Sequence, residues 1–309
     1  MTHQSSRVFS NFSKQAFLLR KFFEEQFKNA HSNPSHRFVW DYWAVANQYR
    51  HLRTPAYQYF PEALYMSFHQ KLVEWGRKNL GCHDISPPWL SLYVDGHFQN
   101  WHADVPHGPW AFVFSLGPPK KKFSGGQTRI MKPQLLNYWQ NFQSAEGRES
   151  QAFFDFIEPE FNQLLVFDAR YPHSVEEVKN VFLPEEGRLV IHGWFVEPRP
   201  YVVGPLKPSI VGKKLQTFFK QLNEWMGKFE SPDGGSLHGV LTLSVKIQKS
   251  GQIRSLKIKA NSLLPVNLSR MDGCPAPEEV IAFCLTHLKK IDFPKEKSNS
   301  ELIIPLVFK

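Results

Sequence analysis

The chain has 309 residues, of which 42% are hydrophobic and 21% charged. These are ordinary proportions for a folded globular protein, and they exclude wholesale disorder. The net charge of +9 is unevenly placed: residues 1–204 hold 21 Lys and Arg against 19 Asp and Glu, whereas residues 205–309 hold 16 against 9. A surface for nucleic acid or another anion would therefore belong to the C-terminal third, where a solvated lysine-rich exterior is the plainer reading.

Cys82, Cys274 and Cys284 form neither a disulfide framework nor a Cys-x-x-Cys zinc spacing. The N-terminal M-T-H-Q-S-S-R-V-F-S lacks the apolar run of a signal peptide, and no window approaches 18 apolar residues. The expectation is a cytoplasmic protein without a transmembrane segment.

In chain order, Ser13–Ala30 reads as an amphipathic helix, capped by Ser13 and placing Phe17, Leu18, Phe23 and Phe27 inward. The stretch S-N-P-S-H-R-F-V-W-D-Y-W reads as a turn followed by an aromatic strand or irregular wall. Pro61 opens a second helix with Leu64, Tyr65, Phe68, Leu72 and Trp75 on one face and Gly81 as its stop. From Pro88 the pattern becomes short apolar runs: L-S-L-Y-V, W-A-F-V-F-S-L, T-R-I-M, F-F-D-F-I, Q-L-L-V-F-D-A, S-V-E-E-V and R-L-V-I-H-G-W-F-V. Many short strands broken by turns predict antiparallel sheets in a jelly roll. Lys132–Gln151 is a longer polar and aromatic connection with room for a short helix. Gly125-Gly126 reads as a turn that lets strands approach closely, and Lys120–Lys122 as a solvated run.

The expected organisation is a mainly β N-terminal domain over 1–204, with a helical buttress at 1–85 and a jelly-roll (double-stranded β-helix) core at 88–198. A Pro/Gly-punctuated linker at 199–209 leads to a small α+β domain over 210–309. In that domain Ile210–Phe229 is a predicted helix, and Val240–Ile247 alternates with Leu241, Leu243, Val245 and Ile247 inward. A second strand turns Leu256 and Ile258 inward. A helix follows from Pro277 to Lys290, and Leu302–Phe308 is a last strand.

The chemistry concentrates in Leu90–Asp104, L-S-L-Y-V-D-G-H-F-Q-N-W-H-A-D, read as strand, turn and strand. His102 and Asp104 lie two residues apart, on one face of a strand. Chance alone gives roughly 0.4 His-x-Asp matches in a chain of this composition, so the pair by itself identifies nothing. His173, after the strand Q-L-L-V-F-D-A, is a candidate third ligand, and Arg188 opens another buried-looking strand. Two histidines and a carboxylate suit a non-haem Fe(II) site with open positions. An arginine beside it can hold a dicarboxylate through two parallel hydrogen bonds. The alternatives are surface positions for His102 and Asp104, and an ion pair of Arg188 with Asp168 or Glu186.

The segments Y-V-D-G-H-F-Q-N-W-H-A-D, S-G-G-Q-T-R-I-M, F-I-E-P-E-F-N-Q-L-L-V-F, R-Y-P-H-S-V and R-L-V-I-H-G-W-F occur in the order of a known family. Over about Leu90–Val196 the chain resembles the Fe(II)/2-oxoglutarate-dependent dioxygenase superfamily, specifically its prolyl-4-hydroxylase-like branch. The resemblance implies His102, Asp104 and His173 as metal ligands and catalytic centre. It implies Arg188 as anchor of the distal carboxylate of 2-oxoglutarate, Tyr93 as a hydrogen-bond partner of that co-substrate and Trp194 as a pocket-lining aromatic. It gives His97, His107 and His192 no metal role. Implied cofactors are Fe(II), with 2-oxoglutarate and O2 as co-substrates and ascorbate as a further factor the branch admits. The implied reaction hydroxylates a C–H bond of a protein or peptide side chain, prolyl among the choices, while 2-oxoglutarate is decarboxylated to succinate. A free amino acid or small natural product is the alternative substrate. The long hairpin K-N-V-F-L-P-E-E-G between His173 and Arg188 departs from many members, so the register at Arg188 is inferred.

The C-terminal segments L-H-G-V-L-T-L-S-V-K-I-Q-K-S-G-Q-I-R-S-L-K-I-K-A-N-S-L, C-L-T-H-L-K-K-I-D-F-P and I-I-P-L-V-F resemble the TonB C-terminal-like domain. That resemblance implies a protein partner, and a non-catalytic scaffold recruiting it is the reading of another class. Nucleic-acid demethylation is the weakest reading, because the charge lies in the other domain.

Overall fold

The computed structural model describes residues 6–28, 38–132, 153–229, 236–266 and 274–309. The expected connection Lys132–Gln151 lies, except for Lys132, outside these described residues. The elements run β1 (Ser6–Phe9), α1 (Ala16–Lys28), β2 (Asp41–Val45), β3 (Tyr49–Pro55), α2 (Glu62–Leu80), β4 (Cys82–Ile85) and β5 (Trp89–Tyr93). They continue with β6 (Phe98–His102), β7 (Trp110–Ser115), β8 (Thr128–Met131), β9 (Phe154–Ile157), β10 (Gln163–Asp168), β11 (His173–Val175) and β12 (Arg188–Pro198). The last set is β13 (Tyr201–Val203), α3 (Pro208–Met226), β14 (Ser236–Ile247), β15 (Ile253–Asn261), β16 (Leu264–Val266), α4 (Pro277–Leu288) and β17 (Ser300–Phe308). The chain forms two compact units, one drawn from 5–72 and 85–196, the other from 73–84 and 197–309.

The first unit is a curled antiparallel sheet in the order β1-β10-β7-β12-β5-β3-β6-β11-β8-β9, with β2 added beside β3. It is jelly-roll-like, as the short apolar runs predict. Alternation along the strands gives the sheet two different faces. One face carries Leu90, Leu92, Phe112, Phe114, Leu164, Leu189 and Ile191, all buried. The helices cover it: Phe68 of α2 meets Phe114 at 4.7 Å between ring centroids, and Phe12 meets the same ring at 5.9 Å. The buttress is thus a lid of apolar side chains on the convex face, which leaves the concave face for chemistry.

The inward face of α1 differs from the expected one. Phe17 and Leu18 are 63% and 55% exposed, and Ala16, Leu19, Arg20 and Phe23 are buried instead. Those four follow an i, i+3, i+4, i+7 pattern, whereas the expected set mixed two faces of the helix. The Ser13 hydroxyl accepts the Gln15 N–H at 3.2 Å just ahead of the first turn. At the end of α2, Gly81 takes φ +70°, and a Cβ there would lie 2.8 Å from the Pro305 ring. Glycine is required at that stop.

The second unit is a five-stranded sheet in the order β13-β17-β14-β15, with β16 on β14. Leu241, Leu243, Val245 and Ile247 of β14 pack with Val211, Leu215, Phe218 and Leu222 of α3 and with Val280, Cys284 and Leu288 of α4. Inside the stretch expected as linker, Tyr201–Val203 form a strand against Ile303–Glu301, because a β-branched pair beside an edge strand finds a ladder there. Among the described residues no helix is long and apolar enough to cross a membrane.

Candidate active site

The concave face is built by the other half of each alternation. Register places Arg53 opposite Ser91, Arg188 opposite Tyr93, Val190 opposite Ser91 and His192 opposite both Trp89 and Val113. Residues on this face surround a cavity of about 560 Å³, together with His102, Asp104, Thr128 and His173. Leu90–Asp104 forms strand, turn and strand as expected, but the two strands are not neighbours in the sheet. β3 lies between β5 and β6, pairing Leu52 with Leu92 and Tyr49 with Gln99.

His102 ends β6 directly opposite His173, the first residue of β11. Asp104 lies two residues past the strand, its N–H held by the Ala169 carbonyl at 2.8 Å. One ligating atom from each of the three lies within 4.8 Å of the others, so the trio could hold one metal ion. The His173 Nε2 is 3.3 Å from one Asp104 oxygen and the His102 Nε2 is 3.9 Å from the other. Each imidazole is oriented from behind: His102 Nδ1 contacts the Asn100 carbonyl at 2.8 Å and His173 Nδ1 the Tyr171 carbonyl at 3.0 Å. Donation through Nδ1 leaves the Nε2 lone pairs facing Asp104, the tautomer that a metal needs. Burial, then the neighbouring His173, lowers the His102 pKa, which keeps it neutral. Burial alone would raise the Asp104 carboxyl, but His173, His102 and the Trp194 N–H outweigh it and hold it ionised. The Trp194 indole donates to Asp104 at 3.2 Å and stacks on His107 at 4.3 Å.

At the other end of the cavity, Arg188 is 2% exposed. Neither ion pair of the alternative reading forms: Asp168 engages Arg170, and Glu186 takes Lys122 at 2.7 Å. Arg188 donates to the Thr128 hydroxyl at 3.1 Å and lies over the Tyr93 ring at 4.9 Å, while its buried Nε has no hydrogen-bond partner among the described residues. Burial draws its pKa down, with Tyr93 opposing. A buried guanidinium with a spare N–H and no carboxylate is a receptor for an anion. Tyr93 donates to Gln99 at 3.1 Å, and the Gln99 amide reaches His102 Nε2 at 3.0 Å. Polar contacts therefore connect the arginine end to the histidine end. Gly125 and Gly126 turn at φ +69° and +73° beside Arg188, where a Cβ on Gly126 would come within 3.2 Å of the Arg188 side chain.

Residues 88–196 match the family model of the 2OG-Fe(II) oxygenase superfamily. That segment belongs to the superfamily. It contains all the strands from β5 to the cavity-lining part of β12, and all three members of the His-Asp-His cluster. Residues 88–196 are thus an oxygenase domain, of an enzyme class that uses Fe(II), 2-oxoglutarate and O2. The donor set fits a metal ion, and the buried Arg188, which has no carboxylate partner among the described residues, fits a dicarboxylate. Solved structures similar to the chain include a prolyl-4-hydroxylase from Pseudomonas putida, 18% identical, with a TM-score of 0.41 over 63% of this chain and 94% of that one. Another is a prolyl hydroxylase in complex with a hypoxia inducible factor peptide fragment from Trichoplax adhaerens, 15% identical, with a TM-score of 0.40 over 62% of this chain and 83% of that one. A third, a 2OG-Fe(II) oxygenase family oxidoreductase from Burkholderia pseudomallei, is 12% identical with a TM-score of 0.40 over 61% and 83%. No curated protein sequence matches the chain significantly.

Two residues not singled out in the sequence stand on this face, Arg53 on the cavity wall and His51 beside Tyr93. Arg53 projects between Trp43 and Trp89. His51 stacks on Tyr93 at 5.1 Å, and burial, then Arg53, pushes its pKa down to about 4. His192 contacts the Ser91 hydroxyl at 2.8 Å, and burial followed by Arg53 lowers it to about 3. In Y-R-H-L-R-T-P, His51 and Arg53 alternate on one side of β3, and only the pairing of β3 with β5 and β6 brings them to this face.

Proposed function

We propose that this oxygenase hydroxylates a C–H bond of an amino-acid residue, with His102, Asp104 and His173 as the iron ligands and Arg188 as the anchor of 2-oxoglutarate. The observation that carries the reading is the pairing, across one cavity, of a His-Asp-His donor set with a buried arginine lacking a carboxylate. When bound, iron and 2-oxoglutarate supply O2 activation coupled to decarboxylation of the co-substrate to succinate and CO2. The chain's own part is positioning. The carbonyls of Asn100 and Tyr171 fix the two imidazoles, and the Trp194 N–H fixes the Asp104 carboxylate. Arg188, Thr128 and Tyr93 form the polar end of the cavity, where a distal carboxylate would bind. Val113, Val190 and Phe167 supply apolar wall between the two ends, which keeps water from the reacting centre.

A prolyl or other peptidyl residue is the substrate class that the motif resemblance favours, with a free amino acid or small natural product as the alternative. All the residues lining the cavity belong to the first unit, so a protein partner for the second unit would act on recruitment and not on the chemistry. The test is Fe(II)-dependent conversion of 2-oxoglutarate to succinate, compared between wild type and His102→Ala. Oxidation of the substrate would appear as a mass gain of one oxygen atom in candidate proteins or metabolites. A wild-type protein that binds neither Fe(II) nor 2-oxoglutarate and forms no succinate would sink the proposal.

A further inference from the structure

Arg53 is a second cation on the wall of the same cavity, and the chemistry proposed above leaves it without a ligand. Its Cζ lies 3.4 Å from the centroid of the Trp89 ring and 4.1 Å from that of Trp43, and the two ring centroids are 6.4 Å apart. The guanidinium thus packs against both indoles. Cation–π contact holds it in place but satisfies none of its N–H donors. Its Nε is buried and has no hydrogen-bond partner among the described residues. Burial draws its pKa down to about 10, which still leaves it charged at neutral pH. The position follows from the strand pairing: β3 carries His51 and Arg53 on the concave face, opposite Ser91 and next to the strand that bears Trp89. Trp43 is 36% exposed, so the clamp stands where the cavity opens.

Two anionic ends of 2-oxoglutarate are already accounted for, one by Arg188 and the other by the metal. Asp41, its register partner on β2, and Asp104 act on Arg53 electrostatically, but neither forms an ion pair with it among the described residues, and its planar fork matches a further carboxylate. We propose that Arg53, held between Trp43 and Trp89, binds a carboxylate of the substrate. The substrate is then an amino acid or peptide presenting a free carboxylate near the oxidised carbon, and a residue flanked only by neutral amides is a poor one. The free carboxylate could be a terminal α-carboxylate or an acidic side chain. This inference rests on the assignment of Arg188 and the metal ligands made above.

The test uses the full chain loaded anaerobically with Fe(II) and 2-oxoglutarate, titrated calorimetrically with three series of probes. These are N-acetyl amino acids, their matched carboxamides, and N-acetyl-aspartyl and N-acetyl-glutamyl amides. The expected result is that carboxylates bind about tenfold or more tighter than neutral amides. Preference for the first or third series separates an α-carboxylate from an acidic side chain. Arg53→Gln abolishes the preference, Arg53→Lys keeps part of it, and neither changes affinity for 2-oxoglutarate. Equal binding of acids and amides by wild type, or binding of neither, overturns the proposal without recourse to any variant. So does a loss of 2-oxoglutarate binding in Arg53→Gln, which would assign Arg53 to the co-substrate. Failure of wild type to take up Fe(II) or 2-oxoglutarate is a separate outcome, which removes the reading of the whole site and this inference with it.

Discussion

Replacing Arg188 with methionine separates its role in ligand binding from its role in the fold. Arg188 is 2% exposed, with an Nε lacking any hydrogen-bond partner among the described residues, a bond to the Thr128 hydroxyl and the Tyr93 ring beside it. Without a carboxylate this cation pays its desolvation with little return, so Arg188→Met leaves the ligand-free protein as stable as wild type or more so. Losing a buried charge-assisted pair costs about 2–5 kcal/mol, and at about 1.4 kcal/mol per tenfold the 2-oxoglutarate Kd rises roughly 30-fold to several thousand-fold. Thermal and chemical unfolding of the Fe(II)-loaded protein, with and without 2-oxoglutarate, reads both quantities at once. At a concentration 100 times the wild-type Kd the ligand stabilises wild type by about 2.7 kcal/mol and the variant by less than about 1 kcal/mol. A variant that keeps the full ligand-induced stabilisation would refute the assignment. A variant that is markedly destabilised when ligand-free would show that Arg188 serves the fold.

Further outcomes follow from particular contacts. Trp194→Phe removes the N–H that holds Asp104 at 3.2 Å and lowers Fe(II) affinity about tenfold with an unchanged circular dichroism spectrum; unchanged affinity would assign Trp194 to packing alone. His51 and His192 are held near 4 and 3, against 6.5 in the unfolded chain. Below about pH 6.5 the unfolded state therefore binds more protons, and stability falls as the pH drops towards 4, by up to about 1.4 kcal/mol per pH unit for each group. Urea unfolding at several pH values measures the slope, and His51→Gln should flatten it; a slope identical to wild type would contradict the burial argument. Gly125→Ala would put a Cβ 1.9 Å from the Glu177 carbonyl oxygen at φ +69°. It should destabilise the fold by at least about 2 kcal/mol in equilibrium unfolding, and a neutral result would mean that the turn relaxes freely.

The donor set was legible in the sequence because it sits in local signatures: a His-x-Asp at the end of one strand and a His opening another. The β alternation of Val240–Ile247 and the apolar runs after Pro88 were legible for the same reason, since period two survives in a single segment. What stayed hidden depends on pairing between distant strands. Nothing local tells that Tyr49–Pro55 inserts between β5 and β6, and so nothing placed Arg53 on the cavity wall or His51 beside Tyr93. The opposite error occurred in α1, where Phe17 and Leu18 are apolar yet exposed. Hydrophobicity was readable there, but the packing partner that selects a helix face was not. Tyr201–Val203 shows the same limit, because proline and glycine around a short β-branched stretch read as linker until a partner strand is known.

The central claim, that His102, Asp104 and His173 together hold iron, is tested most directly by anaerobic titration of Fe(II) into wild type, His102→Ala and Asp104→Ala, with folding checked by circular dichroism. The account predicts one Fe(II) per wild-type chain, loss of binding in both variants and 2-oxoglutarate binding that requires the metal. Wild type without a stoichiometric site, or folded variants that bind Fe(II) as tightly as wild type does, would contradict it.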